Sequence, residues 1–156
     1  MRAYKAAEAP EPFLVMEWLP GTEFSIDCVC GAGRVVAAAS RRKELGYQVI
    51  ETRGPQVDLA RRVVEIFALD GLVNVQVRLD VDGRPCVLEV NTRPSGGLSY
   101  STAAGVNLPG AWARHVTGLP VQAPDLAAPV AVRVVDTAVR LPDTTRWLGR
   151  AHGLAA

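Results

Sequence analysis

The stretch Val73 to Gly97, VNVQVRLDVDGRPCVLEVNTRPSGG, decides how this chain reads. Two apolar-rich runs flank Asp82-Gly83, a dipeptide that favours a tight turn, and the pattern predicts a β-hairpin. Side chains alternate along a strand. Asn74, Gln76 and Arg78 therefore share one face of the first strand, and Glu89 and Asn91 share one face of the second. Arg93 follows at once, then the Ser95-Gly96-Gly97 loop. If the pleat brings the two faces together, one surface carries a carboxylate and two amide oxygens, with a guanidinium close by. Magnesium takes oxygen ligands, usually one or two carboxylates with water and substrate phosphates. Arg93 could fork onto a phosphate oxygen, and the Ser-Gly-Gly backbone could offer N–H groups to an anion. The competing reading is a polar solvent face on a two-sided hairpin. Against it, Glu89 lies in the apolar run VLEV, where a carboxylate needs a cation or Arg93 beside it.

Outward from the hairpin, the chain is β-rich first and mixed afterwards. Phe13 to Leu19 (FLVMEWL) predicts a strand, closed by Pro20-Gly21. Thr22 to Cys30 alternates, with Phe24, Ile26 and Cys28 on one face and Glu23, Ser25 and Asp27 on the other. Gly31 to Gly33 turns the chain into a third strand, Arg34 to Ser40. Arg41 to Gly46 reads as a polar connection, and Tyr47 to Thr52 as a short strand. Pro55 opens a helix that runs to Leu69, ended by Asp70-Gly71. Beyond the hairpin, Ser95 to Gly110 reads as a loop and Leu108 to Thr117 as a short helix. Val130 to Val135 is one further strand in a proline-bearing tail. Residues 1–12 read as a disordered lead or linker, 13–120 as the folded unit and 121–156 as an extension. Hairpin-linked strands with few helices predict an α+β domain, a mainly antiparallel sheet with helices packed on one side.

Composition excludes little. The 156 residues suffice for one core; 49% are apolar and 21% charged, with a net charge of +1. No basic run points to nucleic acid, and no apolar run approaches the roughly 20 residues of a membrane span. The N-terminus lacks the pattern of a secretory signal, and the odd cysteine count (Cys28, Cys30, Cys86) suits reduced thiols. A cytoplasmic protein is expected. Cys28-x-Cys30 has the wrong spacing for zinc, and both thiols read as small core residues. His115, beside Trp112, reads as packing.

Taken together, LVMEWLPGTEFSIDCV, the helix, and LVNVQVRLDVDGRPCVLEVNTRPSGGLSYSTAAGVNLP resemble the C-terminal half of an ATP-grasp domain. The pattern is similar to that of carbamoyl phosphate synthetase large subunits and carboxylate–amine ligases. The resemblance covers about residues 13–120, and Gln…Glu-x-Asn-x-Arg is its specific part. It implies ATP and magnesium (or manganese) as cofactors. Glu89 resembles the carboxylate that bridges two metal ions, Asn91 the second ligand on that strand, and Gln76 the ligand from the preceding strand, where many relatives are acidic. Arg93 resembles the arginine that steadies the transferring phosphate. Glu17 lies where relatives place the hinge beside adenine, and Glu23 resembles the residue that holds the ribose hydroxyls. Of the adjacent Arg41 and Arg42, one matches a basic residue near the phosphates or the acceptor, and Arg42 is taken as that residue; a solvated loop is the other reading of the pair. Asp27 reads as either cleft-lining or solvent-facing.

The resemblance also implies lobes that nothing before Phe13 supplies, including a glycine-rich cover for the triphosphate. Two readings stay open. In one, the chain is the ATP- and magnesium-binding part of a ligase that activates a small carboxylate as an acyl-phosphate for attack by an amine. Another polypeptide would complete it. In the other, it is a truncated, non-catalytic module that binds nucleotide weakly or binds only a partner protein.

Overall fold

A computed structural model of the chain describes residues 15–135. Its elements run β1 (Glu23–Gly31), β2 (Arg34–Glu44), β3 (Tyr47–Glu51), α1 (Pro55–Ile66), β4 (Gly71–Leu79), β5 (Pro85–Asn91), α2 (Leu98–Ala103), α3 (Leu108–Val116) and β6 (Val130–Val132). The strands form one sheet in the order β5-β4-β1-β2-β3-β6, and every neighbouring pair is antiparallel. The expected α+β fold is what the structure shows.

The helices, however, occupy both faces of the sheet, and only α1 follows the one-sided arrangement expected. Phe24, Ile26, Cys28, Val73, Val75 and Val77 pack against Val57, Ala60, Val63 and Val64 of α1. On the opposite face Val29, Ala37, Ala39 and Ile50 pack under Val106, Leu108 and Ala111, at and around the start of α3. The reason lies in the central strands. β1 is buried along most of its length, and apolar groups on both faces of a strand need cover on both sides.

Several elements differ from the sequence expectation. Val15 to Pro20 form no strand, and the first part of the Phe13–Leu19 run lies outside the described residues. Pro20 has no N–H to donate to a ladder, and pairing begins only where Gly21 N–H donates to Leu79 O at 2.9 Å. β2 runs through Glu44, so the Arg41–Glu44 connection is strand. α1 starts at Pro55 as expected but ends at Ile66, before Asp70-Gly71, because Ala68 takes a left-handed φ of 48°. α2 forms inside the stretch read as loop. The tail strand is only Val130–Val132, and it pairs with β3 at the sheet edge. The lead segment and the tail beyond residue 135 lie outside the described residues.

Cys28 and Cys30 sit in the α1-side core. Burial pushes the Cys30 thiol from its ordinary 9.0 up to about 12. Burial, with Cys30 and Asp27 nearby, also raises Cys28. A thiol whose folded pKa lies above its unfolded one adds stability that is complete below pH 9 and lost as pH rises towards 12. The urea midpoint should therefore fall between about pH 8 and about pH 10.5. A Cys28→Ala/Cys30→Ala variant should show a smaller fall; an equal fall would place the pH dependence elsewhere.

Candidate functional site

The face opposite α1 is apolar where α2 and α3 cover it and polar where they do not. Strand register sets its polar rows. Arg41, Ser25, Gln76 and Glu89 lie in one row across β2, β1, β4 and β5. Asp27, Asn74 and Asn91 lie in the next, and Glu23, Arg78 and Cys86 in a third.

A bulge puts Glu89 in its row. Next to the turn of the hairpin Arg78 pairs with Cys86 and Val77 with Val87. Continued without a break, that register would set Leu88 opposite Gln76 and turn Glu89 toward α1. The register instead shifts between Gln76 and Val77, so Gln76 faces Glu89 and Asn74 faces Asn91. A one-residue slip exchanges the two faces of a strand, and here Leu88 absorbs it. The turn itself is wider than a two-residue hairpin. Asp80 accepts from the Asp82 and Arg84 backbone N–H groups at 2.9 and 2.8 Å, and Gly83 supplies a φ of 77°. Those bonds, the Arg84 backbone N–H first, hold the Asp80 carboxyl below the usual range.

Gln76, Glu89 and Asn91 meet. Gln76 Nε2 donates to Glu89 Oε1 at 2.6 Å and Asn91 Nδ2 to the same oxygen at 2.7 Å. Glu89 is exposed, so its partners are the two amides and solvent; of the cation or Arg93 that its apolar neighbours called for, Arg93 makes no contact with it. Among the described residues no group of three or more His, Cys, Asp or Glu side chains gathers. The donor set here is one carboxylate with two amides. A half-turn of each amide replaces its N–H groups by its carbonyl oxygen, and a carboxylate with two amide oxygens on an open face fits a magnesium ion that keeps much of its water.

The remaining expected residues are placed as follows. Arg93 is exposed beside the cluster, with Nη1 donating to Pro94 O at 3.3 Å. Glu23 lies on the polar face, but its carboxylate is paired with Lys43. Glu17 is exposed and belongs to no element. Its neighbour Trp18 carries the Arg78 guanidinium 5.7 Å over its ring, and Arg78 Nε donates to Gly21 O at 2.9 Å. Arg42 is not brought to the site. It registers opposite Phe24, on the α1 face, with Nε 2.9 Å from Glu44 Oε1.

Arg41 is the residue that faces the site. Its Nε donates to Asp27 Oδ2 at 2.9 Å, its Nη1 to Gln48 Oε1 at 3.0 Å, and its Nη2 to Ser25 Oγ at 2.8 Å and Ser95 Oγ at 2.6 Å. Asn74 Nδ2 completes the network with bonds to Ser25 Oγ and Asp27 Oδ1 at 2.9 and 2.8 Å. Arg41, Asp27, Ser25 and Asn74 are all buried. Asp27 is thus neither cleft-lining nor solvent-facing. Sequence reading gave Asn74 no role and took Ser95 only for its backbone N–H, although the alternation that placed Asn74 beside Gln76 was the available signal. His115 packs as expected, its ring 5.9 Å from that of Trp112 and pressed against Gly31.

Among the described residues no helix is long and apolar enough to cross a membrane. Comparison with curated proteins finds no match. Solved structures do resemble the fold. An ADP complex of N5-carboxyaminoimidazole ribonucleotide synthetase shares 22% identity at a TM-score of 0.53, over 73% of this chain and 34% of that one. The phosphoribosylaminoimidazole carboxylase ATPase subunit from Aquifex aeolicus shares 18% at 0.57, over 75% and 39%. N5-carboxyaminoimidazole synthetase from Staphylococcus aureus shares 18% at 0.53, over 73% and 35%. The chain therefore spans little more than a third of these proteins' length. The model of the family described as ATP-grasp in the biosynthetic pathway with Ter operon matches residues 9–138, past Pro120 and through β6. With that match over most of its length, the chain belongs to this ATP-grasp family.

Proposed function

We propose that these residues form the nucleotide- and magnesium-binding floor of an ATP-dependent ligase that activates a small carboxylate as an acyl-phosphate for attack by an amine. The observation that carries this reading is the convergence of Gln76 and Asn91 on Glu89, on an open polar face. Glu89, Gln76 and Asn91 would hold the cation, which when bound supplies charge neutralisation at the triphosphate. Arg93, free of any acidic partner among the described residues, reaches the transferring phosphate and stabilises the charge that develops there. Glu23 serves the ribose hydroxyls once it exchanges Lys43 for them, and Glu17 lies at the adenine hinge. Arg42, on the far face, has no part.

A second reading, a module that binds nucleotide weakly without turnover, is favoured by one observation: Glu23 is engaged by Lys43. Titrating Mg-ATP into the chain in a calorimeter tests the shared premise. Heat that EDTA abolishes is expected; no binding at millimolar nucleotide, by the chain alone or joined to a lobe that completes it, would sink both nucleotide-binding readings and leave a module that binds only a partner protein. Release of phosphate on addition of a carboxylate and an amine then selects the first.

A further inference from the structure

We infer that Arg41 is a positioning residue, which pins the Ser95-Gly96-Gly97 segment against the sheet at a set distance from the Gln76–Glu89–Asn91 cluster. The pin is geometric. Its purpose, presenting Arg93 and the backbone of this segment to a phosphate, rests on the reading above.

Three observations carry it. First, the guanidinium has five N–H groups, and four are used within the protein, on Asp27, Gln48, Ser25 and Ser95. Arg41 is only 3% exposed. A guanidinium so occupied acts on what it holds and has little left for a ligand. Second, three of its bonds run to strands of the sheet, β1 and β3, and the fourth crosses to Ser95, 54 residues away in sequence. Ser95 Oγ accepts in turn from Gly97 N–H at 3.3 Å. The chain Asp27–Arg41–Ser95–Gly97 thus ties the segment that follows Arg93 to the middle of the sheet. Third, the contact is close. A Cβ on Gly97 would lie 2.0 Å from Arg41 Nη1. The φ of Gly97 is −97°, open to any residue, so the backbone does not require glycine here, and its lack of a side chain makes room for Arg41.

The pin explains an otherwise costly arrangement. A buried ion pair contributes little net stability beside a well-packed apolar pair. A rigid fork with several donors, however, specifies one geometry for everything it touches. The cluster on β4 and β5 is set by the sheet, whereas Arg93 sits on a loop. Loops are the mobile parts of a site unless something fixes them.

Arg41→Lys keeps a positive charge beside Asp27 and loses the fork. Ser95→Ala removes only the loop end of the tie and leaves the interior network standing. Amide hydrogen exchange followed by mass spectrometry reads both, with no nucleotide present. Exchange in residues 92–97 should accelerate about tenfold or more in each variant, the scale of a lost charge-assisted hydrogen bond. β1 and β4 should be unchanged in Ser95→Ala. The double variant should exchange no faster than the faster single one, because both cut one connection. Unchanged exchange in residues 92–97, acceleration spread evenly over the sheet, or additive effects in the double variant would each overturn the pin. Where the wild-type chain binds Mg-ATP, Ser95→Ala should weaken binding about tenfold at an unchanged melting temperature; intact affinity would overturn its purpose. A wild-type chain that binds no nucleotide contradicts the functional reading above, and exchange still decides the pin.

Discussion

Arg41→Met should destabilise the domain by about 3–5 kcal/mol at neutral pH, the usual cost of stranding one partner of a buried ion pair. Asp27 is fully buried and Arg41 nearly so, so water cannot replace the lost guanidinium. What remains for the carboxylate is one amide, Asn74 Nδ2 at 2.8 Å. Gln48, Ser25 and Ser95 each lose a donor as well, and an unmade buried hydrogen bond costs more than a made one contributes. Urea unfolding monitored by circular dichroism measures the change. Replacing both partners, Arg41→Met with Asp27→Leu, should cost much less than the single variant, since no charge is then left in the core. A single variant within about 1 kcal/mol of wild type would show that the network does not hold the sheet centre together.

Glu89→Gln should leave the fold intact and remove magnesium-dependent nucleotide binding. Glu89 is exposed, and exposed substitutions usually change stability by no more than about 0.5 kcal/mol. Gln76 and Asn91 would still have an oxygen to donate to. The carboxylate's charge, however, is the only negative one in the donor set. Neighbours of metal ligands alone cost 10–100-fold when altered, so loss of this ligand should weaken Mg-ATP binding by about 100-fold or more. Calorimetric titration with and without magnesium checks it. Binding of ATP in EDTA should be the same in both proteins. A Glu89→Gln variant that keeps its magnesium dependence would move the cation site elsewhere, and one that unfolds would make Glu89 a structural residue.

The hairpin was legible because its determinants are local. Asp82-Gly83 marks the reversal, β-branched residues mark the strands, and an alternation of period two sorts side chains onto faces. The same local logic found β1, the start of α1 at Pro55 and the α3 helix. It failed where a contact distant in sequence decides. RRKE after an alanine-rich strand looks like a solvated connection, yet Arg41 is buried because Asp27 and Ser25, 14 and 16 residues earlier, wait for it on β1. The same failure chose Arg42 over Arg41. Adjacent residues on a strand face opposite ways, and no local signal says which way the site lies. FLVMEWL has the composition of a strand, but Val15 to Pro20 find no ladder to join.

By itself, the sequence determined the antiparallel α+β class and, through its resemblance, the family, and it proposed the set Gln76, Glu89, Asn91 and Arg93 from residue type and short-range period. Only the tertiary structure decided that Gln76, Glu89 and Asn91 meet. The bulge at Leu88 turns Glu89 from the α1 side to the open face, across from Gln76. Register is a pairing between two strands, set by the packing of Val87 and Val90 against the α1-side core. The tie from Asp27 through Arg41 to Ser95 is likewise absent from any local pattern. It exists because the sheet brings together buried polar groups that can be satisfied only by one another.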